Sequence, residues 1–148
     1  MRQLAAFLTL SRRDRALLIE ALATVCLFRL AVHVFSIERL RAWSGRLERG
    51  TGPIDRVVWA VRVASRWTPG TTCLASAFAL QRLLSGQGYP SELHIGVMKQ
   101  KHRFAAHAWV VGDGRVLIGE QGQIEYTPLA RWCSGNEDRF AADRADRG

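Results

Sequence analysis

At 148 residues, 48% of them hydrophobic and 23% charged, the chain is long enough to bury a core as one domain and too apolar to be a disordered polymer. Its three cysteines fall at irregular spacings, which excludes a disulfide framework. The first ten residues lack the small-residue cleavage site of a secretory signal, so a reducing cytoplasm is the expected setting. The formal charge of +8 is uneven: residues 1–67 carry 12 basic and 5 acidic side chains, a net of +7, whereas residues 68–148 carry 9 and 8. A basic N-terminal half attracts acidic partners. Its arginines are scattered among apolar residues without a helix-turn-helix or zinc-finger pattern, so nucleic acid is not an expected partner.

In chain order, Ser11 is placed to cap a helix running on through Phe35. Residues 16–28 are strongly apolar, and a membrane span needs roughly 20 such residues. Glu20, Arg29 and His33 interrupt the pattern, which disfavours a span and membrane association and favours packing within the domain or against a partner. Cys26, deep in this run, reads as a buried and inert thiol. Ser36 opens a second helix over 37–47, with Leu40 and Trp43 on one side, and Gly50-Thr51-Gly52-Pro53 breaks it. A third helix is expected over 55–66, with Val57, Val58, Val61 and Ala64 at core spacing, stopped by Trp67-Thr68-Pro69-Gly70.

A fourth helix is expected over 72–85, with Leu74, Ala77, Phe78, Leu80, Leu83 and Leu84 facing inward and Gly86-Gln87-Gly88 ending it. Leu93, Ile95 and Val97 then alternate with His94, Gly96 and Met98, which is strand periodicity; residues 99–103 form a basic turn. A strand over 104–111 is followed by Asp113-Gly114, a strong hairpin signal, and a return strand over 115–120. Further short strands fit around Ile124–Tyr126, and Trp132-Cys133-Ser134-Gly135 reads as a turn with a structural cysteine. Helices followed by a helix packed on an antiparallel sheet make an α+β fold. The expected organisation is an N-terminal helical region over 1–54, a catalytic core over 55–135 and a charged tail over 136–148.

The chemistry-bearing residues lie in the second half. Cys73 falls at a helix start, where unpaired N–H groups and the positive end of the helix dipole favour a thiolate and can hold an oxyanion. Thr72 or Thr71 is the natural cap. His107 lies inside the strand expected over 104–111. If Asp113-Gly114 is a two-residue turn with straight register, Gly112 faces Arg115 and His107 faces Glu120. Opposed Cβ atoms lie about 4.5–5.5 Å apart, within reach for a carboxylate to orient an imidazole. Cys73, His107 and Glu120 thus form a candidate nucleophile, base and acid. A zinc site drawn from Cys73, His94, His107 and Cys133 lacks ligand spacing, and no metal or cofactor is expected.

The order Thr72-Cys73-Leu74 with Ala77 and Leu80, then Leu93-His94-Ile95-Gly96-Val97, then Ala106-His107-Ala108-Trp109-Val110 and Asp113-Gly114-Arg115-Val116 resembles the transglutaminase-like leader peptidases of lasso-peptide biosynthesis, mainly over residues 55–130. The resemblance implies a papain/transglutaminase-like cysteine protease core with a Cys-His-acid triad, Cys73 and His107 matching the nucleophile and base. The family's acid is usually an aspartate on the strand after the hairpin; Glu120 stands nearest here, and Asp113 in the turn is the other acid. The implied reaction is removal of the leader from a ribosomally made lasso-peptide precursor, in the manner of other ribosomal-peptide maturation systems. With no room for a fused recognition domain, the chain resembles the split protease subunit. Its implied partners are the precursor peptide, a separate leader-recognition protein and an ATP-dependent lasso cyclase. A transglutaminase-like acyl transfer and a non-catalytic binding subunit are the alternative readings.

Overall fold

A computed structural model describes residues 7–50, 52–100, 103–119 and 127–135. The helices run α1 (Arg12–Val34), α2 (Ile37–Ser44), α3 (Ile54–Trp67) and α4 (Cys73–Gly86), followed by strands β1 (Glu92–Gln100), β2 (Arg103–Gly112), β3 (Arg115–Ile118) and β4 (Thr127–Cys133). The sheet is antiparallel with strand order β3-β2-β1-β4. Helices on one face of an antiparallel sheet make a mixed α+β domain.

The helix starts follow from local chemistry. Ser11 accepts from Asp14 N–H at the start of α1, satisfying one of the amides that lack an intrahelical partner. Thr72 does the same for Ala75 N–H at 3.2 Å and starts α4. Helix α2 ends at Ser44, short of the expected Leu47, because the Ser44 hydroxyl turns inward to Gln81 Oε1 at 2.8 Å. The chain beyond it has no regular secondary structure and is tied to α4 by Glu48 N–H on Ser85 O.

Helix α4 is the axis of the molecule. Residues 75–81 and 83–85 are all buried, more than the expected one-sided stripe. Its alanines and serines let other elements approach on every side: α1, α2, α3 and β2 all pack on it. Aromatic rings run through the core from the helices to the sheet. Phe28 of α1 stacks on Trp43 of α2 at 4.7 Å and on Phe78 of α4 at 5.6 Å, and Phe78 continues to Trp132 of β4 at 6.3 Å. Buried Gln81 braces the same region, donating to Trp132 O at 3.2 Å.

Helix α1 has two apolar faces. Leu18, Ala21, Val25, Phe28 and Ala31 are buried against α3 and α4, while Ile19, Leu27, Leu30 and Val34 form an exposed stripe. By length and composition it is apolar enough to cross a membrane. Cys26 lies on the exposed side, correcting its reading as a buried thiol.

The sheet alternates as strands must. Leu93, Ala108, Val110 and Leu117 enter the core beneath α4, with Ile95, Ile118 and Trp132 packed against them. His94, His107 and Trp109 share the other face, with ring centroids 5.4 Å apart for His94 and Trp109 and 6.2 Å for His107 and Trp109. Strand β4 was not legible as such: Trp132 and Cys133 are its last residues, paired with Leu93 and Glu92, and the turn is confined to Ser134 and Gly135. Pro128 is tolerated because β4 is an edge strand. The strands expected at 124–126 and the tail at 136–148 lie outside the described residues.

Candidate active site

Helix α3 stops at Trp67 and the chain turns through Pro69 and Gly70, where Gly70 takes φ +76°. Thr71 donates its hydroxyl to Thr68 O at 2.7 Å, and Thr72 caps α4. This turn delivers Cys73 as the first residue of α4, exposed at the mouth of a groove. With Ala75 N–H on the Thr72 hydroxyl and Ser76 N–H on Thr72 O, the amides of Cys73 and Leu74 remain as first-turn donors without an intrahelical acceptor. They are the donors that an oxyanion formed beside Sγ would meet.

The groove has a volume of about 440 Å³. One wall is α3 and the start of α4, with Arg62, Ser65, Arg66, Thr71, Thr72, Cys73 and Ser76; the other is sheet, with Ala108, Ile118 and Gly119. Ser65 and Ser76 share a 2.9 Å hydrogen bond that ties α3 to α4 beneath it.

His107 is not among the residues lining this groove, but it adjoins the sheet wall twice. Ala108, its chain neighbour, is a wall residue, and His107 Nε2–H donates to the carbonyl of Gly119, another wall residue, at 2.7 Å. A carbonyl can only accept, so this bond places a proton on Nε2. His107 is 8% exposed, on the sheet face that carries Trp109.

The straight hairpin register does not hold. Gly112 pairs with Arg115 and Val111 with Val116 as expected, but Val110 pairs with Ile118: a bulge inserts one residue on β3. The turn itself is as expected, with Asp113 and Gly114 at φ 53° and 70°. The ladder ends at Ile118, and Gly119 departs at φ +85° with its carbonyl toward His107. The straight register from which Glu120 was expected opposite His107 thus ends at the Val111–Val116 pair, and Nε2 donates to a backbone oxygen. Glu120 itself lies outside the described residues. Asp113 occupies the turn tip and is exposed.

The remaining candidates are dispersed. His94 Nε2 lies 3.0 Å from Glu92 Oε2 on the outer sheet face, and Cys133 ends β4. Among the described residues no group of three or more His, Cys, Asp or Glu side chains is arranged to hold a metal ion. The sequence reading missed the contribution of Gly119. Its signal was a glycine inside the expected return strand, which marks a backbone position with special geometry.

A helix opened by an exposed cysteine and packed on an antiparallel sheet is an α+β arrangement that fits a cysteine peptidase-type fold. A family model described as the Transglutaminase-like superfamily matches residues 17–131, and the chain belongs to that superfamily. The match begins within α1, so the N-terminal helices are part of the family domain along with the sheet. Such a fold is typically that of cysteine peptidases or acyltransferases. No curated protein and no solved structure matches the chain.

Proposed function

We propose that the protein is a cysteine peptidase that removes the leader from a lasso-peptide precursor, with Cys73 as nucleophile and His107 as acid and base. The observation that carries the peptidase reading is the placement of Cys73 at the first position of α4, on a groove whose opposite wall is the strand segment holding His107. The leader-peptidase reading draws support from the Cys73, Ile95-Gly96-Val97, His107-Ala108-Trp109-Val110 and Asp113-Gly114 series and from superfamily membership.

In this mechanism Cys73 Sγ attacks the scissile carbonyl and the amides of Cys73 and Leu74 receive the negative oxygen. His107 takes the Cys73 thiol proton as Sγ attacks and passes it to the departing amine, releasing the core peptide with a free N-terminus. Water then adds to the thioester with His107 as base, and the proton it takes returns to sulfur, freeing the leader carboxylate and the thiol. Nε2 stays on Gly119 O throughout, which fixes the tautomer as a third triad member does. Glu120, the residue after Gly119 in the chain, is proposed as the carboxylate that stabilises the imidazolium. The freed amine is then available to a separate ATP-dependent cyclase. Because ribosomal precursor and ATP are both cytoplasmic, the reaction is assigned there.

The chain is further proposed to act with a separate leader-recognition protein. The exposed apolar stripe of α1 and the arginines of the N-terminal half are the surface offered to it. The test is direct: the protein, a recognition partner and a precursor are incubated and the products weighed. Two fragments whose masses sum to precursor plus water support hydrolysis. A product lighter than its reactants by ammonia indicates acyl transfer to an amine, and an unchanged precursor indicates a binding subunit.

A further inference from the structure

Arg62 and Arg66 line the groove beside Cys73, one helical turn apart on α3. Like charges at this spacing repel, so the pair is not explained by helix stability. Arg66 gains from the negative end of the helix dipole, but Arg62, a turn earlier, lies beyond its reach. Four arginines elsewhere are matched with carboxylates, Arg56 with Asp14, Arg82 with Glu48, Arg115 with Asp55 and Arg131 with Glu92, while exposed ones such as Arg12, Arg39 and Arg49 have no such pair among the described residues; what distinguishes Arg62 and Arg66 is that they line the groove. Among the described residues neither Arg62 nor Arg66 has such a partner, and none of those lining the groove is acidic.

The surroundings add to the positive potential. Arg62, itself exposed, is held at the groove by one N–H on Leu117 O at 2.7 Å, which leaves its other donors unspent on that carbonyl. Hydroxyls of Ser65, Thr71, Thr72 and Ser76 and the N-terminus of α4 complete a donor-rich lining.

We infer that this groove is an anionic subsite that takes an acidic side chain of the peptide substrate, read by Arg66 with Arg62 as its fixed second donor. The inference deepens the peptidase reading and rests on it for the identity of the ligand as a peptide. A guanidinium pair selects a carboxylate over its amide by charge and by paired N–H donors.

The experiment reads binding rather than cleavage, so that its failure is separable from failure of the peptidase reading. The full chain carrying Cys73→Ala, isotopically labelled, is titrated with C-terminally amidated Gly/Ser hexapeptides containing one Glu or one Gln, with arginine Nε–H resonances observed by NMR. The Glu peptide is expected to shift the Arg62 and Arg66 signals and to saturate at least tenfold below the Gln peptide. Arg66→Glu, at an exposed position, should remove that preference and Arg66→Lys should restore part of it. Equal titration by the two peptides, no titration by either, or a preference unchanged in Arg66→Glu overturns the proposal. Two further arms address the anion's source. A Gln peptide with a free C-terminus, or inorganic phosphate, matching the Glu peptide would overturn the assignment to a side chain; weaker titration by both upholds it.

Discussion

His107 Nε2 and the carbonyl of Gly119 stand 2.7 Å apart, and this bond joins the sheet face that carries the imidazole to the wall of the Cys73 groove. It exists because β3 bulges after Val116 and Gly119 turns away in the left-handed region. A side chain at 119 would meet Ala108 O at 2.7 Å and Trp109 Cβ at 2.8 Å. Gly119→Ala should therefore cost about 1–3 kcal/mol of stability. It should also lower cleavage by more than the unfolded fraction explains, because the His107 acceptor moves. Urea denaturation and cleavage rates measured on the folded variant check both; a variant with normal rate and stability would remove Gly119 from the account.

The cap of α4 sets the position of Cys73. Thr72→Ala removes the acceptor for Ala75 N–H and should destabilise the fold by about 1 kcal/mol, with Thr72→Ser close to wild type. Thermal melting of the three proteins ranks them. Because the cap fixes the first turn, cleavage by Thr72→Ala should fall while that by Thr72→Ser should persist.

The helical part of the fold was legible because its signals are local. Ser11 and Thr72 announce helix starts, Pro69-Gly70 announces a stop, and Val57, Val58, Val61 and Ala64 repeat at the spacing of a buried face. Cys73 stood out for the same reason, placed directly after a stop signal and a cap. What was not legible depends on partners distant in sequence. β4 carries a strand-breaking Pro128 next to its start, and is a strand because it pairs with β1 more than 30 residues earlier. The β3 bulge answers to the packing of Leu117 and the arginine hydrogen bond to its carbonyl, neither of which has a local signature. The exposure of Cys26 could not be read from a helix apolar all round; only the placement of α3 and α4 decides which face is covered.

Gln81 illustrates the same limit and supports a third prediction. It sits within an apolar helix, yet its amide accepts from Ser44 and donates to Trp132 O, linking α2, α4 and β4 in the interior. Gln81→Leu leaves a buried hydroxyl and a buried carbonyl without that partner, at a cost of about 1–3 kcal/mol. Urea denaturation should show the midpoint lowered with little change in slope.

Acid sensitivity should report the start of α1. The Ser11 hydroxyl, donating to Asp14, and then Arg56 hold the Asp14 carboxyl below its ordinary value of 3.8. A depressed folded-state pKa contributes stability that is fully present above the ordinary value and is lost as pH falls through the folded one. Asp14→Asn should therefore be less stable than wild type at neutral pH, and the gap should close as pH falls below about 3.8. Denaturation midpoints at pH 7, 4 and 2.5 test this; a gap that does not change with pH would contradict it.

The most direct test of the account is precursor processing by Cys73→Ala beside wild type, with recognition partner and precursor held constant and products weighed over time. Wild type should release leader and core, whereas Cys73→Ala, with an unchanged melting temperature, should process at least about 1,000-fold more slowly, as expected when a covalent nucleophile is removed. Equal processing by the two proteins would contradict the assignment of Cys73 as nucleophile and, with it, the peptidase reading.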